Sequence, residues 1–193
     1  SVLKTWTGID EESMELEVHN RLLGRGQKAI ELAVENLSEE SLGLLGASVG
    51  GIHVATAAGR LEKVRAAFVV AAGAPVSAVI ARSEQEALKS WRQKRMKHFQ
   101  FEGQRQYEKA LKEAIQWEPL SFADRAYQKS LGMILIEEDE IVPFSMQKRL
   151  EKEWQPQTTY TLSSSWLWNH VFGIVKAWWF HSKDILRFFD NHL

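Results

Sequence analysis

The chain contains no cysteine, and that absence removes disulfides, thiolate metal sites and a cysteine nucleophile together. Long apolar runs are missing as well; none reaches the ~20 residues that a membrane-spanning helix requires. An excess of charge is also lacking. Twenty-four Lys and Arg stand against 25 Asp and Glu, a formal net charge of -1. So balanced a chain has no general attraction for nucleic acid or an anionic membrane. Six histidines are present, but none has a partner at metal-ligand spacing and no H-E-x-x-H occurs, so neither a catalytic metal nor another cofactor is expected. Internal repeats and low-complexity tracts are absent. The segment Ser1-Val-Leu-Lys-Thr-Trp6 has no basic region followed by an apolar core, the mark of a secretory leader, and a cytoplasmic location is the expectation.

What is present fits one domain. A chain of 193 residues can bury a sizeable core. Residues 1–24 are hard to read: Val2, Leu3 and Trp6 suit a short strand, and Glu11 to Leu23 is polar with weak helical spacing. Gln27 to Asn36 reads as a helix. Three apolar runs then read as strands, Leu42 to Ala47, Arg65 to Ala72 and Leu131 to Ile136, and the β-prone Thr158 to Leu162 reads as a fourth. Alanine-rich residues from Gly50 to Gly59 suit a helix lying close on a sheet. Pro143 opens a helix to Trp154, a position that favours proline. The chain closes on a helix from Val171 to His192. Uniformly apolar strands alternating with helices predict an α/β three-layer sandwich with a mostly parallel sheet.

The most informative stretch is Leu42-Gly-Leu-Leu-Gly-Ala-Ser-Val-Gly-Gly51. Here a strand runs into Gly46-Ala47-Ser48-Val49-Gly50 and then into a helix, the context in which a G-x-S-x-G turn pushes a serine hydroxyl out above a sheet edge. A Cβ at Gly46 or Gly50 is expected to collide with the neighbouring strand or helix. The bare pattern is weak, and the alternative is a surface serine in a glycine turn. Two residues downstream strengthen the first reading. A serine hydroxyl needs a base, and the base needs an acid to fix its tautomer. The third strand ends in Glu137-Glu-Asp-Glu-Ile-Val-Pro143, which puts a carboxylate at the edge where parallel sheets hold ligands. Asp139 is the first choice, with Glu138 and Glu140 as alternatives. His170 follows the fourth strand, just before the last helix.

These residues resemble the α/β-hydrolase superfamily, and within it the serine esterase and prolyl-oligopeptidase-like branch. The resemblance rests on Leu42–Gly51, Val64–Gly73, Glu118–Ala123, Asp139–Pro143 and Asn169-His170, in family order, and covers about Gln27 to Leu193. It implies Ser48 as nucleophile, Asp139 as acid and His170 as base. The Val49 N–H is implied as one oxyanion donor, because that donor follows the nucleophile. The implied activity is cleavage of a small-molecule carboxylic ester through an acyl-enzyme; thioesters and peptides suit the same site. A non-catalytic binding protein or subunit on this fold is the other reading.

The sequence departs from the family in three places. Ile136 stands where a small residue is common, and Asn169 where glycine usually precedes the histidine. Only 47 residues precede Ser48, without the His-Gly-type loop that supplies a second oxyanion donor. Either the chain is a trimmed member of the family or, as is favoured here, an upstream segment or partner chain is expected to complete the sheet. Residues 77–118 occupy the place of a helical cap. Leu88, Trp91 and Phe99 share one helical face, and Tyr107, Leu111 and Ile115 form a stripe on a second. Trp91, Trp166 and Trp168 are the candidates for lining a substrate pocket, the last two being equally suited to the core. The six Lys and Arg from Lys89 to Arg105 either attract an anionic substrate or form a solvated basic face.

Overall fold

The computed structural model describes residues 14–163 and 169–193. Its elements are α1 (Glu17–Asn36), β1 (Leu42–Ala47), α2 (Val49–Arg60), β2 (Val64–Val70), α3 (Val76–Arg82), α4 (Glu86–His98) and α5 (Gln104–Ala114). After a 3-10 turn (Pro119–Phe122) come α6 (Ala123–Ala126), β3 (Ser130–Ile136), α7 (Phe144–Trp154), β4 (Thr158–Leu162) and α8 (Asn169–His192). The four strands form one parallel sheet in the order β1-β2-β3-β4.

The apolar runs are strands because both faces of the sheet are covered. Successive side chains point to opposite faces. Ala67, Val69, Leu131, Met133 and Leu135 therefore meet α2 and α7 through Ile52, Ala55, Leu150 and Trp154. Ala66, Phe68, Val70, Ile134 and Ile136 meet α8 through Ala177, Ile185 and Phe188. Close approach fixes two glycines. A Cβ at Gly173 would lie 2.6 Å from Ile136, and one at Gly43 would lie 2.6 Å from Phe189. Both let α8 press directly on the sheet.

The helix expected from Gln27 begins ten residues earlier, as α1 runs unbroken from Glu17. Gly24 and Gly26 hide this in the sequence, since glycine weakens a helical pattern. They are tolerated for contact: a Cβ at Gly24 would lie 2.6 Å from Trp117 Nε1, and one at Gly26 would run into the His53 ring. The suggested strand near Val2, Leu3 and Trp6 lies outside the described residues.

Residues 77–118 hold α3, α4 and α5, with breaks at Ser83–Gln85 and Phe99–Gly103. Leu88 and Trp91 are buried, as are Tyr107, Leu111 and Ile115. Phe99 does not share that face; it caps the C-terminus of α4 and is 42% exposed. Arg95, one turn earlier, takes the inward position instead. These helices pack on α1 as well as on each other, so much of their apolar surface serves the core.

Candidate active site

Ser48 sits at the junction of β1 and α2 with φ 55° and ψ -125°. A side-chain-bearing residue with positive φ is strained, at a cost of about 1–3 kcal/mol, and persists only when its surroundings hold it. Two backbone hydrogen bonds do so here. Ser48 N–H donates to Val70 C=O at 2.8 Å, and Ile52 N–H donates to Ser48 C=O at 3.0 Å.

The flanking glycines are not equivalent. A Cβ at Gly46 would be driven into the Gly50 carbonyl and to 2.8 Å from Val54. At Gly50 it would meet nothing within 4 Å, which corrects the expectation that both positions exclude a side chain. The second crowded glycine is Gly51, whose Cβ would lie 2.8 Å from that of Ala72.

His170, in the first turn of α8, reaches Ser48 Oγ with Nε2 at 2.7 Å. Its Nδ1 lies 2.6 Å from Asp139 Oδ2. An ionised carboxylate only accepts, so the histidine proton is on Nδ1 and Nε2 is left to accept from the serine hydroxyl. Asp139 lies in the turn after β3, and its side chain is fully buried. Its other oxygen, Oδ1, accepts from the N–H groups of Ile141 and Val142, both at 2.9 Å. The neighbouring carboxylates point elsewhere. Glu138 accepts from Ser163 Oγ at 2.7 Å, and both Glu138 and Glu140 are exposed. Among the three acids, the structure therefore brings Asp139 to His170.

A residue not singled out from the sequence braces this turn. Gln147 of α7 is fully buried. Its Oε1 accepts from Ile136 N–H at 2.9 Å, while Nε2 donates to Ile136 C=O at 3.0 Å and to Val142 C=O at 2.8 Å. Beside Ile136, β2 has already ended; its last bond to β3 is Ala71 N–H to Ile134 C=O. The Gln147 amide thus extends the ladder by one peptide-like group and ties both ends of the Asp139 turn together. The only local signal is a glutamine on the apolar face of an amphipathic helix, between Met146 and Leu150.

A cavity of about 560 Å³ opens beside Ser48 and Val49. Its walls are mostly apolar, including Leu22 and Leu23 of α1, Val76, Val79 and Ile80 of α3, and Leu88 of α4. Val49 heads α2, where the first N–H groups of a helix have no acceptor within the helix. Trp91 is not among the lining residues. It is buried with its ring edge-on to His19, centroids 5.6 Å apart, and Leu88 occupies the wall. Trp166 and Trp168 lie outside the described residues.

Three polar side chains join the wall: His19, Arg25 and His53. Burial and the nearby Arg95 guanidinium lower the pKa of His19 to about 3. Burial alone lowers that of His53. Both rings are therefore neutral at physiological pH. Gln27 steadies His53, donating from Nε2 to its backbone carbonyl at 2.9 Å. Among the described residues, no group of three or more His, Asp or Glu is arranged to hold a metal ion. None of the described helices is long and apolar enough to cross a membrane.

No protein-family model and no curated protein matches this sequence. Solved structures do. An acetyl xylan esterase from a Paenibacillus species superposes with a TM-score of 0.62 at 18% identity, covering 89% of this chain and 52% of the esterase. An α/β hydrolase from a Penicillium species gives 0.56 at 17% identity, covering 88% of this chain and 72% of the hydrolase. An esterase from Pyrococcus furiosus gives 0.52 at 15% identity, covering 91% and 63% respectively. The chain thus spans between half and two thirds of the length of the two esterases. At such identities the likeness is one of fold, and this chain has the α/β-hydrolase fold.

Proposed function

We propose that this chain is a serine hydrolase that cleaves carboxylic esters through an acyl-enzyme. The observation that carries the reading is the unbroken hydrogen-bonded line from Ser48 Oγ through His170 to Asp139. In this scheme Ser48 Oγ attacks the ester carbonyl while His170 Nε2 takes its proton. Asp139 holds the ring in the right tautomer and stabilises the imidazolium that forms. The proton then passes to the leaving alcohol as the tetrahedral intermediate collapses, and water repeats the cycle to release the acid. The Val49 N–H, at the positive end of α2, donates to the oxyanion. The apolar cavity receives the acyl or alcohol portion of a small-molecule ester. A thioester or a peptide would pass through the same steps.

A second oxyanion donor, and a strand against β1, are proposed to come from an upstream segment or a partner chain. Among the described residues β1 pairs with β2 alone, and Leu45 on it is 45% exposed. The same free edge supports the competing reading, a non-catalytic subunit that docks on another chain. A fluorophosphonate probe separates the two. The hydrolase reading expects one covalent adduct on Ser48, located by peptide mass spectrometry and lost in Ser48→Ala. No adduct with the sheet completed would leave the binding-protein reading standing.

A further inference from the structure

His19 stands in the cavity wall although the mechanism above makes no use of it. The residue is 96% buried by its 4% exposure, in the first turn of α1. Its Nε2 lies 2.6 Å from Nη1 of Arg95. Arg95 is held in place independently: Nη1 donates to Tyr107 Oη at 3.2 Å, Nη2 donates to Glu15 C=O at 3.1 Å, and the guanidinium lies 5.2 Å from the Trp91 ring centroid. A guanidinium can only donate. His19 Nε2 must therefore be the acceptor, and the one proton of the neutral ring is on Nδ1.

That leaves a hydrogen-bond donor without an acceptor among the described residues. Nδ1–H belongs to a ring that helps line a cavity whose other walls are largely Leu, Ile and Val. A donor set in an apolar cavity wall rewards a matching acceptor, and cavities of this kind set orientation through a few placed polar groups. We infer that His19 is a specificity-determining residue whose Nδ1–H receives an acceptor oxygen, a ketone, ether or hydroxyl, carried within the otherwise apolar group of the substrate. The inference rests on the reading that the cavity beside Ser48 is the substrate pocket. Arg95 is the positioning residue that locks the tautomer. An anionic group is not what His19 selects, since the ring is neutral and offers one donor.

The test uses binding, so that it does not depend on turnover. Ser48→Ala protein is titrated calorimetrically with methyl octanoate and with a series of methyl oxo-octanoates bearing one ketone at successive carbons. One position in the series should bind about tenfold more tightly than the plain ester, the size of one neutral hydrogen bond to a buried donor. His19→Gln keeps both an acceptor for Arg95 and a donor for the ligand, and should retain most of that preference. His19→Leu should abolish it. If His19→Leu does not fold, the ratio in the parent protein and in His19→Gln decides. Nitrogen NMR of His19 should show the proton on Nδ1 and a shift with the preferred ligand only. Equal binding across the series, no binding of any member, a preference that survives in His19→Leu, or a proton on Nε2 would overturn the inference. Fluorophosphonate labelling of the unsubstituted protein reports separately on the hydrolase reading.

Discussion

Gln147 grips a single residue, Ile136, by both its N–H and its C=O, and the same side chain reaches Val142 beyond the Asp139 turn. Replacing it with leucine keeps the bulk but leaves one buried N–H and two buried carbonyls without these partners. Each such group costs about 1–3 kcal/mol, and partial relaxation should bring the total to about 3 kcal/mol. Urea denaturation should show that loss. Because the turn also aims the carboxylate of Asp139, kcat on a short p-nitrophenyl ester should fall about tenfold or more with KM little changed. A stability loss with unchanged kcat would make Gln147 a structural residue only.

The Ser48, His170 and Asp139 variants should differ in degree. Ser48→Ala and His170→Ala each remove a reacting group, and triad members act as a unit. Both should reduce ester hydrolysis to near background. Ser48→Ala should do so without lowering Tm, because a half-buried hydroxyl adds little to packing, whereas His170→Ala leaves the buried Asp139 Oδ2 without its partner and should lower Tm as well. Asp139→Asn keeps the shape but presents an NH2 that cannot accept from Nδ1–H. The ring is then favoured in the wrong tautomer, and kcat should drop by about 10⁴. Steady-state kinetics on all three variants is the check, and near-normal activity in any one of them rules out the scheme.

The two glycines around Ser48 make a paired test. Gly46→Ala drives a methyl into the Gly50 carbonyl of the elbow. It should destabilise the protein by about 1–3 kcal/mol or prevent folding. Gly50→Ala meets open space inside a helix. It should be neutral or stabilise by up to about 1 kcal/mol, the difference in helix propensity. Thermal melts of the two proteins side by side settle the asymmetry.

Much of this architecture was legible in the residues. β1 and β4 fall on the expected boundaries because a short β-prone run closed by Gly or Ser has few other solutions. Ser48, Asp139 and His170 are singled out by their places after strands, with Glu138 and Glu140 as alternatives to Asp139, and the three-dimensional turn brings Asp139 to the His170 ring. What stayed hidden arises from contacts between distant parts of the chain. Gly24 and Gly26 look like helix breakers until Trp117 and His53 stand against them. His19 and Arg95, 76 residues apart, give no local sign that they meet. Trp91, expected in the pocket wall, is instead packed in the core against His19, a contact between residues 72 positions apart.

Acid should reveal His19. Its folded-state pKa, about 3, lies below the ordinary 6.5. The unfolded chain therefore binds a proton that the folded chain does not, and His19 contributes stability that is present above pH 6.5 and lost as the pH falls towards 3. Arg95 faces the ring directly and opposes its protonation; Tyr107, on the other side of Arg95, stays neutral across this range. Carboxylates elsewhere titrate in the lower half of the window, so the comparison must be with His19→Gln. Chemical denaturation at pH 7.5 and pH 5 should show a smaller loss in His19→Gln than in the parent protein. Equal losses would mean that His19 accepts a proton in place.

The last expectation concerns the free edge. Among the described residues β1 pairs only with β2 and leaves its other edge, beside Leu45, unpaired, and α8 carries a second apolar stripe away from the sheet at Val171, Val175, Trp178 and Leu186, with Trp179 beside it at 79% exposure. An unpaired strand edge and exposed apolar side chains both favour association with another chain. The 193-residue chain by itself should therefore self-associate, and sedimentation should show species larger than a monomer at micromolar concentration. A lysine on each surface is the established way to blunt such contacts, so Leu45→Lys with Trp179→Lys should shift the chain towards monomer without loss of helix or strand signal. Ester hydrolysis by the isolated chain should also be slow. The second oxyanion donor proposed above is worth roughly 3–4 kcal/mol in the transition state, so a chain working without it should be slower by about 10²–10³. Supplying an upstream strand in trans should raise the rate and suppress self-association together. A monomeric chain with full activity would show that the described residues already complete both the sheet edge and the oxyanion site.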